Sequence, residues 1–482
     1  MYSRRCHHRH PCHADAVRAE VLPSTAGSVR AWLVAVAIIV LAAIVCAVVV
    51  ELPSHAASDV THYKYWARQV STYGVAGAYS GTYPETAAIY PPVTMYGYRV
   101  AGWFYRRFFD PSFDMQAALA SHALTVLIKL VAVVPHLAGS LAIFYLLFRR
   151  HGARPALFVT ALIVLNPAAI IDVAYWGQPD MFHAMFLVIA VYLFEEDRPY
   201  AGFVFVGLAA ATKPQAWALL PFLGYVAVRR FGLVTSLRGG LVAAAAAAVL
   251  CLPYLLYGTA GDLLTLPRLI AETMPVVSAN AHNVWWLVTN GKPDFVLDSE
   301  PLLGALTYRY VAIVLTLVVF GYGLWRTDPF AGQGELSMIA AYMAFGWFLV
   351  TTRAHENHAF FALPLLVMAA PRSRTSLVIY GLISLTLFLN VVLHDFGLET
   401  YRLSLLTPDA LVRIQLANAA LNVTVFLAWS VYLWHRRAGW RTGPGWPYAD
   451  GERRDAPIPA GRGAFHERQP VLGSAQQELR LG

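Results

Sequence analysis

Six short segments carry residues able to do chemistry. The first is Ser58-Asp59-Val60-Thr61-His62-Tyr63-Lys64-Tyr65-Trp66-Ala67. On a helix, Asp59, His62, Tyr63 and Trp66 share one face. A carboxylate held beside aromatic rings can take a proton from a sugar hydroxyl, and a positioned general base contributes about 10²–10⁴-fold. An Asp here is equally a helix N-cap. The second segment runs from Asp172 through Tyr175-Trp176-Gly177-Gln178-Pro179 to Asp180. Pro179 suits a first helical turn, and Asp180 can cap the helix that follows. Trp176 and Gln178 are candidate substrate contacts, or the aromatics are ordinary interface anchors.

Lys213-Pro214-Gln215 joins two apolar runs. A lysine in a fixed turn can hold a phosphate as a point charge, or it can snorkel from a helix end. Lys129 lies well inside an apolar run, where a charge costs about 2.5–3.5 kcal/mol. Such residues face a cavity or a partner. Arg353-Ala354-His355-Glu356-Asn357-His358 closes a tight turn. Its histidines are not spaced as in zinc proteases, whereas an arginine and a histidine suit an anionic group. His282 and Trp285 lie in Asn280-Ala281-His282-Asn283-Val284-Trp285-Trp286, whose tryptophans could stack on sugar rings or anchor an interface.

The elements that must position these groups are apolar helices. The 482 residues are 58% hydrophobic and 13% charged, against about 25% charged in soluble domains, so too little charge remains to coat a soluble surface. The first apolar run covers 31–52. It exceeds a usual signal-peptide core, although Ser54-His55-Ala56 after it is a small-residue site. Further runs lie at 119–148, 156–165, 181–194, 200–212, 215–228, 239–257, 303–325, 336–352, 360–370, 376–393 and 414–434. They predict an all-α, polytopic transmembrane bundle of about twelve spans. Val93 to Phe109 is apolar and aromatic but carries Arg99, Arg106 and Arg107, which predicts an amphipathic interfacial helix; a true span is the alternative.

Residues 1–30 and 435–482 read as polar tails whose composition implies disorder. Residues 31–434 form the membrane domain, with long loops at 53–116 and 258–301. The four cysteines give no disulfide framework. Cys6 and Cys12, among four histidines of the first tail, offer metal ligands without a fold to fix them. Arg149-Arg150, Arg229-Arg230, Arg238, Arg326, Arg372, Arg374 and Arg436-Arg437 fall on one side, the cytoplasmic one by loop charge. Both termini are then cytoplasmic. Asp59, Asp180, Lys213, Arg353, His355 and Glu356 gather at the other side. The net charge of +8 sits in tails and short loops and does not point to nucleic acid.

In order and spacing these segments resemble the membrane-embedded GT-C glycosyltransferases. The resemblance rests on Asp59 with Trp66-Ala67, Tyr90-Pro91-Pro92, Trp176-Gly177-Gln178-Pro179-Asp180, Lys213-Pro214-Gln215 and His355-Glu356. It is nearest to bacterial relatives of the mannosyltransferase that adds the second mannose of GPI anchors. Dolichyl-phosphate-glucose glucosyltransferases are more distant. The resemblance implies a plasma-membrane enzyme that moves a hexose, mannose first, from a polyprenyl- or dolichyl-phosphate donor to a hydroxyl on the non-cytoplasmic side, with inversion. The acceptor would be a glycan, glycolipid or protein, and membrane lipids surround the site. Asp59 would be the base and Asp180 a second acid in the cavity. Lys213, Arg353, His355 and Lys129 would meet the donor phosphate. Trp66, Tyr90, Trp176, Gln178, Gln215, Glu356, His282 and Trp285 would touch substrate. No cofactor is implied, although Asp59 and Asp180 could share a divalent metal. Relatives carry His-Glu-Arg-Tyr late in the chain, where this sequence has His355-Glu356-Asn357-His358, so Arg353 must supply the missing cation. The competing expectation is a lipid or sugar transporter or flippase. It should show repeated halves, and none is evident.

Overall fold

The apolar runs fold as helices, and each helix end can be traced to a residue that stops or caps it. The computed structural model describes residues 25–52, 59–79, 88–292, 295–394 and 404–436. The cysteine–histidine tail, Ser54-His55-Ala56 and most of the C-terminal tail lie outside the described residues. Helix α1 covers Thr25–Val50, α2 Asp59–Tyr73, α3 Pro92–Phe108, α4 Met115–Ala120, α5 His122–His151 and α6 Ala153–Val164. A short α7, Pro167–Ile170, runs into a π-helical turn, Ile171–Trp176. Helices α8 Asp180–Glu195, α9 Pro199–Ala210, α10 Leu220–Phe231 and α11 Leu233–Leu256 follow, with a 3₁₀ turn at Pro214–Leu219 before α10. Then come α12 Ala260–Leu264, α13 Leu266–Glu272 and α14 Val284–Val288. A two-stranded ribbon, Pro301–Leu303 with Leu306–Thr307, leads into α15 Tyr308–Arg326. The chain continues through α16 Glu335–Val350, α17 Ala362–Val367, α18 Arg374–His394 and α19 Pro408–His435.

Local chemistry sets these boundaries. Ser121 caps α5, its hydroxyl accepting from Leu124 N, and Arg149, Arg150 and His151 fill the last turn, where cations offset the helix dipole. Asn166 caps α7, accepting from Ala168 N at 2.9 Å. The chain bends by 47° between α6 and the α7–π segment. Gly177 then ends the π turn in the left-handed region, at φ 80°, which Gly adopts without penalty.

Where about twelve spans were expected, the described residues hold six helices long and apolar enough to cross a membrane: Gly27–Val50, α5, α11, α15, α18 and α19. A seventh results if α6 and the α7–π segment count as one bent span. The remaining runs fold as shorter helices, such as α9 and α16. Helix α16 is enclosed along almost its whole length, and with α8 it forms the core. Helix α11 keeps most of its leucines and valines exposed, and α15 exposes Ile313, Val314, Leu317 and Val318. The 53–116 region holds α2 and α3. Helix α3 is a single amphipathic helix. It packs Met95, Tyr98, Ala101 and Tyr105 inward while Trp103, Phe104 and Phe108 face out beside Arg107.

Polar clamps tie together the helix ends that carry arginine. Glu195, at the end of α8, is fully enclosed. It bridges Arg150 of α5 at 2.5 Å and accepts the backbone N–H groups of Gly334 and Leu336 at the start of α16. Arg230 of α10 reaches Asp197 and the carbonyls of Pro329 and Ala331. Asp180 opens α8 and Glu195 closes it, so the acidic groups and these arginines occupy opposite ends of one helix.

Candidate functional site

Asp59 is the first residue of α2. Its Oδ2 accepts two N–H groups, from Trp176 Nε1 at 2.8 Å and Gln178 Nε2 at 2.7 Å. The π turn and the left-handed Gly177 bring both donors to that oxygen. A Cβ at Gly177 would also press on Lys129 Cγ at 3.3 Å. Gln178 cannot turn its amide over. Its Oε1 accepts from Tyr63 OH at 3.0 Å, Tyr90 OH at 3.1 Å and Lys213 Nζ at 3.2 Å. Three donors on one oxygen fix which end of the amide faces Asp59.

Lys213 is placed by the proline after it. A residue before proline is pushed out of the helical region, and Lys213 is extended, at φ −147° and ψ 142°. Helix α9 therefore stops, and the turn is pinned by Val93 N to Ala211 O at 2.8 Å and Thr94 Oγ1 to Thr212 O at 2.6 Å. The buried ammonium pairs with Asp180 Oδ1 and lies 5.0 Å from the centre of the Tyr90 ring. Asn357 donates to the other oxygen of Asp180 at 2.6 Å. Here a neutral amide leaves Lys213 as the cation on Asp180.

These groups form one wall of a cavity of about 430 Å³. Asp59, Tyr90, Gln178, Lys213, Gln215, Arg353 and His355 line it, and Trp217, Pro267, Ile270 and Trp347 form much of the rest. Behind the polar wall, Tyr63, Trp66, Tyr90 and Tyr98 pack ring to ring, with centroids 5.0–6.0 Å apart. Trp66 thus supports the site from behind. Glu356 and Asp172 are enclosed next to it. Asp172 approaches Asp180 without forming a well-made hydrogen bond to it. Asp59, Asp180, Lys213, Tyr90, Trp176, Gln178, Gln215 and His355, all expected from sequence, come together.

Besides Trp66 and Glu356, which do not line the cavity, four expected contacts are placed differently. Lys129 donates to Val50 O at 3.0 Å and lies over the Tyr175 ring, so it ties α5 to the end of α1 outside the cavity. His282 is enclosed between α18 and α19, bonded to Asn418 at 2.9 Å. Trp285 donates to the carbonyls of Val350 and Thr351 and packs on Tyr308. Arg353 does line the cavity, but its guanidinium is engaged by Asp298, at 2.7 Å from Nε, and by the carbonyl of Ala271. Arg353 also sits at φ 63°, an uncommon conformation for a side-chain-bearing residue. Asp298 was not singled out from sequence. It binds Arg309 at 2.6 Å and Thr352 as well, which joins three outer loops.

Burial opposes ionisation of Asp298, yet its hydrogen bonds from Arg309 and Arg353 win and hold its carboxyl below the ordinary value. A depressed carboxyl stabilises the fold above its unfolded pKa of about 3.9, and that contribution is lost as pH falls through the folded value. Limited proteolysis of the 273–298 loop should therefore accelerate only below about pH 4, and Asp298→Asn should cleave rapidly at neutral pH.

Trp217 and Trp347 are site residues that the sequence did not flag, and Tyr63 and Asn357 were noted in motifs without a role in the site. Tyr63 shares a helix face with Asp59, which was the available signal. Among the described residues, no group of three or more His, Cys, Asp or Glu side chains is arranged to hold a metal ion. No family model matches the chain, and no curated protein matches it.

Proposed function

We propose that the protein is a multi-pass membrane hexosyltransferase of GT-C type, using a polyprenyl- or dolichyl-phosphate hexose, mannose first. The observation that carries this reading is the Asp59 carboxylate. Oδ2 is held by two N–H donors, the residue lines a cavity, and a buried cation belongs to the same hydrogen-bonded chain. An acceptor hydroxyl gives its proton to Asp59 Oδ1. The hydroxyl oxygen bonds to the anomeric carbon as the carbon–oxygen bond to the phosphate breaks, and the electron pair leaves with the phosphate. Attack from the opposite face inverts the configuration. Lys213 and His355 stabilise the charge growing on the phosphate. Trp217 and Trp347 offer ring faces to the sugar. The cavity belongs to the non-cytoplasmic side by the loop-charge argument, and the membrane is the bacterial plasma membrane.

The test is purified protein incubated with a panel of labelled lipid-phosphate hexoses and a glycan or glycolipid acceptor. Transfer from one donor, with inverted configuration in the product, is expected; passage of the lipid across liposomes without transfer would replace this reading by a flippase.

Glu356 gives the reaction a second titration. It lies in the turn between α16 and α17, where burial, with nearby Asp59 and Asp180 and against the pull of Lys213, pushes its carboxyl up to about 8. It is then neutral at pH 7 and gains a negative charge beside the leaving phosphate above pH 8. Activity should fall on that alkaline limb, and Glu356→Gln should flatten it while keeping turnover at pH 7. An unchanged limb in Glu356→Gln would remove the assignment.

A further inference from the structure

Helices α15 and α19, both candidate spans, end side by side. Trp325 and Trp434 have ring centroids 5.4 Å apart and are 60% and 58% exposed. Paired tryptophans at helix ends suit the level of lipid headgroups. Between these ends and the first turn of α16 lies a cavity of about 300 Å³ that shares no lining residue with the acidic site. Arg326, Arg436, Asp328 and Glu335 line it, over an apolar floor that includes Met338 and Ile339.

Arg326 and Asp328 are braced by neutral partners, and Arg436 also interacts electrostatically with Glu335. Arg326 Nη2 donates to Arg436 O at 2.5 Å, its guanidinium lies 5.0 Å from the Trp325 ring centre, and its enclosed Nε has no partner among the described residues. Arg436 Nη1 reaches the thioether of Met338 at 3.4 Å. Asp328 Oδ1 accepts from Phe330 N at 3.0 Å.

We propose that this cavity binds the headgroup of a zwitterionic phospholipid bearing a primary amine. The phosphate meets Arg326 and Arg436, where planar guanidinium groups offer paired donors. The ammonium donates to Asp328 and Glu335, and the acyl chains descend along the exposed faces of α15 and α19. Two cations and two carboxylates on one wall favour a ligand with one charge of each sign. The carboxylates repel an anionic headgroup or free phosphate, and a choline group has no N–H to donate.

The test uses the full chain in nanodiscs of phosphatidylcholine alone, or with a minor fraction of phosphatidylethanolamine or of phosphatidylglycerol. Thermal unfolding is read together with the lipid retained through detergent washing. Phosphatidylethanolamine should raise the midpoint by several degrees and be retained, whereas phosphatidylglycerol should do neither. Glu335→Gln should abolish that preference, read as the difference between lipids within the variant, and Arg326→Gln should abolish retention. Equal midpoints in all three lipids, an equal rise with phosphatidylglycerol, or an undiminished preference in Glu335→Gln would each overturn the proposal. A shift reproduced by soluble phosphoethanolamine or inorganic phosphate would overturn the lipid assignment in favour of a free metabolite.

Discussion

On the proposed function, Asp59→Asn is expected to lower sugar transfer by about 10²–10⁴-fold, the contribution of a positioned general base, while the protein stays folded with donor affinity intact. The geometry makes this substitution informative. Trp176 and Gln178 both donate to Oδ2, and an asparagine can present its carbonyl oxygen to both. Its NH₂ then faces the cavity in place of Oδ1, with no lone pair able to take a proton. The side chain keeps its place while the chemistry stops. Transfer kinetics alongside donor binding check the point, and wild-type turnover in Asp59→Asn would show that the proton goes elsewhere.

The largest effect on stability should come from splitting Lys213 and Asp180. Their side chains are 1% and 2% exposed, so neither can turn to water when its partner is removed. Losing one member of such a pair costs about 3–5 kcal/mol, because the survivor remains charged and enclosed. Asp180→Asn alone should show this cost, since it leaves Lys213 charged and enclosed. Lys213→Met combined with Asp180→Asn should recover most of it, because both charges vanish and the new amide's carbonyl oxygen can still accept from Asn357. Unfolding midpoints of the single and double variants in one lipid composition measure the coupling. Additive losses would mean that the pair contributes little as a pair. The double variant should still lack transfer, since the cation for the leaving phosphate is gone.

Much of this arrangement was legible in the sequence. The centres of the apolar runs match the helices, and the polar segments around Asp59, Gln178, Lys213 and His355 converge on one cavity. The span count was less legible. Runs such as those at α9 and α16 are apolar because protein encloses them, and enclosure and lipid contact leave the same imprint on composition. The partners of Arg353 and Lys129 were hidden for a different reason. Asp298 lies 55 positions from Arg353, in a loop with no periodicity to locate it. Lys129 bonds to a backbone carbonyl, that of Val50, and any residue type provides one. Tyr63 and Asn357 took part in motifs already noted, yet their roles depend on which side chain faces the cavity wall, and only the tertiary arrangement settles that.

Helices α8 and α16, sixteen residues each, rise about 24 Å, and the twelve residues of α9 about 18 Å. A bilayer's hydrocarbon layer is about 30 Å thick. With their far ends anchored by the Glu195 and Arg230 clamps, these helices are too short to lift Asp59 and Lys213 to the opposite surface. On the proposed function, a sugar carried on a lipid would sink below its neighbours' phosphates, or the membrane would dimple to meet the protein, before the reacting bond is within reach.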